Sequence, residues 1–284
     1  MICGCEKDFN DELERSTVMY SLDLMISGQR TADEGSGYAG TKASTKGLDE
    51  WPVLFTDIFI FNDDAMGLLD SYEHIEMPSR DRQQLQSRAG GKRIVVVANC
   101  PLESGTISGI CCYADMEALA VEFLKDNPLH PFMSGETVID AGNERSCIIE
   151  LEPVMSEIRI SDFNDGLGLK DTHIRLTGAV GRAELMRRDG ARPVEFVESG
   201  SMRMAKGAAL YCYPNNCREE SMGSPFTKLI IEGRKDGKNV EIAIPVNRKG
   251  FGWKNGEEGI SRNTLYLMNI TLGSGYQACV KPSQ

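Results

Sequence analysis

What the chain lacks narrows its function before any motif is read. Basic side chains are in the minority: 31 Lys and Arg against 42 Asp and Glu in 284 residues leave a formal charge of −11. No short window gathers the Lys/Arg cluster that neutralising a phosphate backbone requires, which excludes nucleic acid as a partner and disfavours an anionic membrane surface. The longest purely apolar runs, such as Ile94 to Ala98, fall far short of the ~20 residues a spanning helix needs. Histidine is scarce. His74, His130 and His173 stand alone, with no HExxH and no second His within a helical turn, so each reads as a surface or satisfied core residue. The nine Cys show neither CxxC nor zinc spacing. Their odd count argues against a complete disulfide framework and suggests small buried hydrophobes. Cys212 and Cys217 flank a Tyr-Pro-Asn-Asn turn and are either two free thiols or, if that turn closes a hairpin, a disulfide. No Gly-x-Ser-x-Gly elbow is present for a serine hydrolase.

Turn formers are plentiful instead, with 29 Gly and 11 Pro, a composition that suits many short strands rather than helices. The length suits two domains, each able to bury its own core. Val18, Tyr20, Leu22, Leu24 and Ile26 fall on every second position, the period of a strand with one buried face. Residues 28 to 50 carry almost no large apolar side chain and predict a flexible loop. A strand follows at Val53 to Phe61, closing on Asn62-Asp63-Asp64, and the polar stretch 78 to 92 reads as another loop. Arg93 to Ala98 is a continuous β-branched run, expected of a central strand covered on both faces.

Tyr113, Met116, Leu119, Ala120, Phe123 and Leu124 recur at three-to-four spacing and predict one amphipathic helix packed on a sheet. Ile148 to Leu151 and Ile158 to Ile160 read as strands on either side of Pro153, where we place the domain boundary. The second half offers strands near 172 to 178, 183 to 188, 194 to 198, 207 to 213, 227 to 233, 239 to 246 and 263 to 272. Lys235-Asp236-Gly237-Lys238 supplies a hairpin turn between two of them. Seven strands at this spacing with no helical period predict an antiparallel β-sandwich.

The motifs that suggest chemistry do not hold. Gly35-Ser-Gly37-Tyr-Ala-Gly40 matches GxGxxG but opens no helical pattern, so it reads as linker. Asp162-Phe-Asn164-Asp165-Gly166 lacks the alternate carboxylates and closing Glu of a calcium loop and reads as a turn. No catalytic residue, metal site or cofactor is expected.

Two stretches in the first half and four in the second carry a resemblance. Val95-Val-Val-Ala98-Asn99-Cys-Pro101 is followed, after the amphipathic stretch, by Pro131-Phe132-Met133-Ser134-Gly135-Glu136. Leu210-Tyr211-Cys-Tyr213-Pro214-Asn215, Leu229-Ile-Ile-Glu-Gly233, Ile242-Ala-Ile244-Pro245-Val246 and Arg262-Asn263-Thr264-Leu265-Tyr266 come later in that order. The series resembles that of the fimbrillin superfamily of Bacteroidales type V pilins, over roughly residues 16 to 272. Leu151-Glu152-Pro153 departs from the pattern, which often has an Arg there. The resemblance implies an all-β fold with one or two short helices, arranged as two tandem transthyretin-like antiparallel β-sandwich domains without a catalytic site.

It also implies a precursor lipoprotein that reaches the cell surface and assembles by strand exchange. On that reading residues 1–15 are the remnant of a lipoprotein-type leader, 16–153 the first sandwich and 154–284 the second with a short tail. Ile2-Cys3-Gly4-Cys5 resembles the end of a lipobox, which makes Cys5 the expected site of lipidation and gives a lipid anchor without a transmembrane helix. Arg30-Thr31 is either the site of maturation, where cutting releases the strand bearing Val18, Tyr20, Leu22, Leu24 and Ile26 and opens a groove, or an ordinary exposed loop arginine.

In the tail, Tyr276, Ala278 and Val280 alternate as a donor strand would, with Pro282 expected to interrupt its ladder. The other reading of the tail is a frayed end or a strand packed on its own domain. Its shortness favours a minor, tip or anchoring subunit. The partners implied are other fimbrial subunits, through strand addition, and a host or bacterial surface ligand. The location is the cell surface, as an outer-membrane-anchored lipoprotein or within a fimbrium. The alternative is a monomeric cell-surface glycan-binding module, for which Trp51 and Trp253 offer few stacking surfaces.

Overall fold

The structure is a computed structural model that describes residues 17–26, 30–31, 51–76, 83–186, 193, 195–247, 259–273 and 278–282. Strand alternation organises the first half. β1 (Thr17–Ile26), β3 (Phe55–Asn62), β4 (Leu69–Glu76), β5 (Gln83–Arg88), β6 (Gly90–Ala98), β8 (Met133–Ala141) and β9 (Ser146–Pro153) form one sheet in the order β4-β3-β6-β8-β9-β1-β5. β6 is central, between β3 and β8, and Ile94 to Val97 are wholly buried. Ile94 and Val96 face a core shared with Tyr20, Leu22, Leu85 and Ile149. Val95 and Val97 face a second core with Phe59, Phe61, Met116 and Phe132. A β-branched run with both faces covered is what such a position selects.

Two expectations for this half need correction. The polar stretch 78 to 92 is not one loop: β5 occupies 83–88 and β6 begins at Gly90. β5 escapes a hydrophobicity reading because, among the described residues, it ladders with β1 alone and buries only Leu85 and Ser87. The amphipathic segment is not one helix either. Two short helices, α1 (Ser104–Ile107) and α2 (Tyr113–Ala118), are followed by the strand β7 (Ala120–Glu122) and a 3-10 turn at Phe123–Lys125. β7 pairs with β13 (Arg182–Glu184) from the second half, and that ladder overrides the helical period after Ala118.

In the second half, β10 (Ser156–Asp165), β16 (Ala209–Cys212) and β19 (Thr264–Leu272) form one sheet, with β10 in the middle of the three. The outer edge of β19 carries two short segments, β2 (Arg30–Thr31) and β20 (Ala278–Pro282). A second sheet runs β15-β11-β17-β18, from β15 (Met202–Arg203), β11 (Lys170–Thr177), β17 (Lys228–Lys235) and β18 (Lys238–Pro245). Ile158, Ile160, Met268 and Ile270 from the first sheet share one core with Ile174, Leu176, Ile231 and Ile244 from the second. β12 (Ala179–Val180) pairs with β14 (Phe196–Val197) beside them.

Asp236 and Gly237, at φ 51° and 77°, make the turn between β17 and β18. Positive φ at both centres is the hairpin geometry that Asp-Gly favours. The sheets are not purely antiparallel, because β1 runs parallel to β9 and β10 parallel to β19. In both cases the partners are far apart in sequence, so no tight turn forces opposite directions. No helix of the described residues is long and apolar enough to cross a membrane.

Candidate strand-exchange site

β1 lies inside its sheet, with β5 on one side and β9 on the other. Thr17 to Leu22 pair with Arg88 to Gln83, and Ser21 to Ile26 pair in parallel with Ser146 to Leu151. The expected buried face is present: Tyr20 and Leu22 are buried, at 2% and 0% exposure, and Val18 and Leu24 pack partly against the same core. The opposite face carries the exposed Met19 and Met25. Burial pushes the Tyr20 hydroxyl up to about 12, and the Cys147 thiol opposite Leu22 up to about 11. Both are neutral at physiological pH.

The other candidate residues gather on β19. The backbone of Arg30 and Thr31 pairs in parallel with Thr264 and Leu265 as β2. The ladder partner is about 230 positions further along the chain, beyond what local composition can report. Ala278 and Val280 lie in β20, opposite Leu272 and Ile270, and Pro282 closes that ladder opposite Met268. The expected interruption falls at the strand's last residue, where a missing N–H is tolerated. Thus the expected cut site and the tail occupy successive stretches of one strand edge. Cys5, Tyr276, Gly35 to Gly40 and Trp253 lie outside the described residues, and Ile26 is placed by its backbone alone.

The motif residues behind the resemblance act as joints. Asn99, at φ 53°, accepts the Leu54 amide on Oδ1 at 2.8 Å and donates from Nδ2 to the Pro52 and Pro131 carbonyls at 3.0 and 3.3 Å. Gly135 has no room for a side chain, because a Cβ there would lie 2.2 Å from the Glu150 carbonyl oxygen. Asn215 accepts the Cys217 amide at 3.1 Å and donates to Thr227 Oγ1 at 3.0 Å, both bonds buried. Arg262 reaches from the second half into the first, donating from Nη2 to the Glu152 carbonyl at 2.7 Å, with Nε 3.3 Å from the Glu152 carboxylate. Tyr213, fully buried, donates its hydroxyl to Asp126 at 2.9 Å and stacks edge-on with Phe123. Sequence reading found these positions only as fragments of a pattern, not as contacts.

Of the remaining polar candidates, His74 and Asp165 have structural partners, whereas the buried Nδ1 of His130 has no hydrogen-bond partner among the described residues. His74 Nδ1 lies 2.7 Å from buried Asp57, which also accepts the Tyr72 hydroxyl at 2.7 Å. Asp165 turns both carboxylate oxygens onto the Leu167 and Leu169 amides, at 3.0 and 2.5 Å, as a turn does. Cys212 and Cys217 are free buried thiols. Among the described residues no cluster of three or more His, Cys, Asp or Glu is placed to hold a metal ion.

Solved structures share this architecture across nearly the whole chain. A protein assigned to cell adhesion from Bacteroides eggerthii aligns with a TM-score of 0.65 at 13% identity, covering 94% of this chain and 96% of that one. A fimbrilin, FimA, from Porphyromonas gingivalis gives 0.62 at 12% identity, over 89% of this chain and 90% of that one. The tip fimbrial protein Mfa3 of the same species, with a C-terminal truncation, gives 0.59 at 16%, over 94% and 98%. No family model and no curated protein matches the chain. The protein therefore has the all-β fold of the Bacteroidales fimbrial and adhesion proteins.

Proposed function

We propose that this protein is a fimbrial subunit or adhesin-like surface lipoprotein that assembles with other subunits by strand exchange, in a minor, tip or anchoring position. The observation that carries the reading is β1: a ten-residue strand with a ladder on each side and an apolar face of Tyr20 and Leu22 directed into the core. Its loss would free the β5 edge beside Thr17 to Leu22 and the β9 edge beside Ser21 to Ile26, over the apolar core, and such edges bind a donor strand by main-chain hydrogen bonds and select it by alternate side chains. Cutting after Arg30 supplies that loss. β20, at the other end of the described chain, ladders among the described residues with β19 alone and is the donor in this scheme. Cys5 carries the lipid, residues 16–153 and 154–284 are the two domains, and the cell surface is the location.

The glycan-binding alternative loses support from Trp51, which is buried at 6% exposure and offers no stacking surface. Limited trypsin digestion followed by N-terminal sequencing tests the scheme. A new terminus at Thr31, with oligomer ladders forming after the cut and vanishing when residues 273–284 are deleted, is expected. A cut chain that stays monomeric would sink it.

A further inference from the structure

Following the pairings around the seven-stranded sheet, its edge strands β4 and β5 run antiparallel to each other, with no ladder joining them. They nevertheless touch. Ser71 Oγ donates to the Gln86 carbonyl at 3.2 Å, and the Arg88 amide donates to Asp70 Oδ2 at 2.8 Å. This contact leaves no gap for a further strand. The joined residues line a pocket of about 510 Å³, within the ~300–1,000 Å³ typical of small-molecule sites. Strand alternation decides what it presents. In the β1–β5 ladder Met19 stands opposite Gln86 and Thr17 opposite Arg88, on the face turned away from the core that Tyr20, Leu22 and Leu85 share. β4 adds the exposed Tyr72 and Glu73. Asp70 is held between two cations, the buried Lys92, with Nζ at 3.2 Å, and Arg88, with Nε at 3.5 Å.

We propose that this pocket binds a neutral oligosaccharide. The ligand class follows from the chemistry of the lining. The Glu73 carboxylate only accepts hydrogen bonds, the Arg88 guanidinium only donates them and the Gln86 amide does both. A sugar hydroxyl both donates and accepts, so it can pair with each of the three. Apolar surface is confined to Met19, 60% exposed, and the Tyr72 ring, 43% exposed, which suits the C–H face of a pyranose ring rather than an apolar chain. Tyr72 is held in place before any ligand arrives, its hydroxyl donated to buried Asp57 at 2.7 Å and its ring 4.9 Å from that of Phe59. The charges cancel, Asp70 and Glu73 against Lys92 and Arg88, so the pocket favours an uncharged saccharide over an acidic one. The inference rests on the adhesin-like reading and names the ligand class for it. It makes no use of Trp51, and it requires no monomeric module.

The uncut chain, in which the pocket is whole because Thr17 and Met19 belong to β1, is applied to a printed array of neutral, sialylated and sulfated oligosaccharides. The strongest binder is then titrated by calorimetry. Saturable binding of a neutral oligosaccharide is expected, weakened about tenfold by Gln86→Ala and by Glu73→Ala, each of which removes one hydrogen-bonding group. Gln86 lends the seam only its carbonyl, so its side chain can go with the Ser71 bond intact, and either variant decides alone should the other not fold. Glu150→Ala, an exposed change on β9, should bind as the parent does. Absence of binding across the array, preference for sialylated or sulfated glycans, or affinity unmoved by the variants overturns the proposal. Glycan binding by an uncut chain that forms no ladders once cut would keep the pocket and sink strand exchange, and ladders without glycan binding would do the reverse.

Discussion

The two ends of the described chain are both strands, but they are held differently. β1 has ten residues, a ladder on each side and two fully buried side chains, whereas β20 has five residues and one ladder, with β19. A strand with neighbours on both sides gives up two sets of main-chain bonds and leaves a core open when it goes. A strand at an edge gives up one set and leaves its sheet otherwise intact. The difference is what the proposed scheme needs, with β1 as the costly strand to vacate and β20 as the segment that leaves more easily.

Leu22→Ala tests that contrast most severely. Leu22 has no exposed surface, and truncating a fully buried Leu costs about 2–5 kcal/mol. Deleting residues 278–284 should cost about 1 kcal/mol or less, as expected of a terminal edge strand. Urea denaturation of the two variants measures both. If the tail deletion proves as destabilising as Leu22→Ala, β20 is a structural strand and the contrast fails.

Arg262→Ala asks whether the two ends belong to one cooperative unit. Arg262 precedes β19, the strand that holds both β2 and β20, and it grips Glu152 at the end of β9, the parallel neighbour of β1. The Arg262 and Glu152 side chains are only 12% and 14% exposed, and stranding one member of so buried a pair costs about 3 kcal/mol. The expected result is a lower midpoint and the appearance of two unfolding transitions, with Arg262→Lys recovering part of the loss. A single, unshifted transition would mean that the halves are coupled without this pair, through the β7–β13 ladder and the Tyr213–Asp126 contact.

How much of this was legible in the sequence follows from how local each signal is. The alternation of β1, the two-sided burial of Ile94 to Val97 and the Asp236-Gly237 turn are set by residues within one element, and they read directly. β5 did not, because an edge strand needs only Leu85 and Ser87 inside and otherwise looks like a polar loop. β7 and β2 did not, because each is short and owes its conformation to a partner far along the chain, Arg182–Glu184 in one case and Thr264–Leu265 in the other. The joints were visible only through the family pattern. Asn99 and Asn263, at φ 53° and 50°, and the closely approached Gly135 sit where few other residues fit, so they recur as motif letters without betraying their contacts.

Gly135→Ala sharpens the same comparison on the β1 side. The added methyl would meet the Glu150 carbonyl oxygen at 2.2 Å and Ile149 Cγ2 at 2.8 Å, so β8 and β9 must shift apart. Overpacking of this kind costs about 1–3 kcal/mol. Because β9 is the neighbour of β1, hydrogen exchange should quicken first at Ser21 to Ile26 and leave the β20 amides unchanged. Uniform quickening across both would show that the ends are not independently held.

The smallest effect concerns pH. Asp126 is buried, and desolvation pushes its carboxyl above the usual range despite the bonds it accepts from the Phe132 amide and the Tyr213 hydroxyl. An acid whose folded pKa lies above its unfolded value of ~3.9 binds more protons folded than unfolded, so its contribution to stability is full below pH ~3.9 and declines as pH rises through the folded pKa. Tyr213→Phe removes a donor to the ionised form. It should cost about 1–3 kcal/mol near neutrality, through the buried oxygen it leaves without that bond, and less at pH 4, where a carboxyl raised above its usual range holds its proton for more of the time. Asp126→Asn should flatten the slope. Urea midpoints of the three proteins at pH 4 and pH 7 measure it, and a Tyr213→Phe penalty that is equal at the two pH values would show that the link between the Asp126 turn and the second half is one of packing, with Phe123 against the Tyr213 ring, rather than of charge.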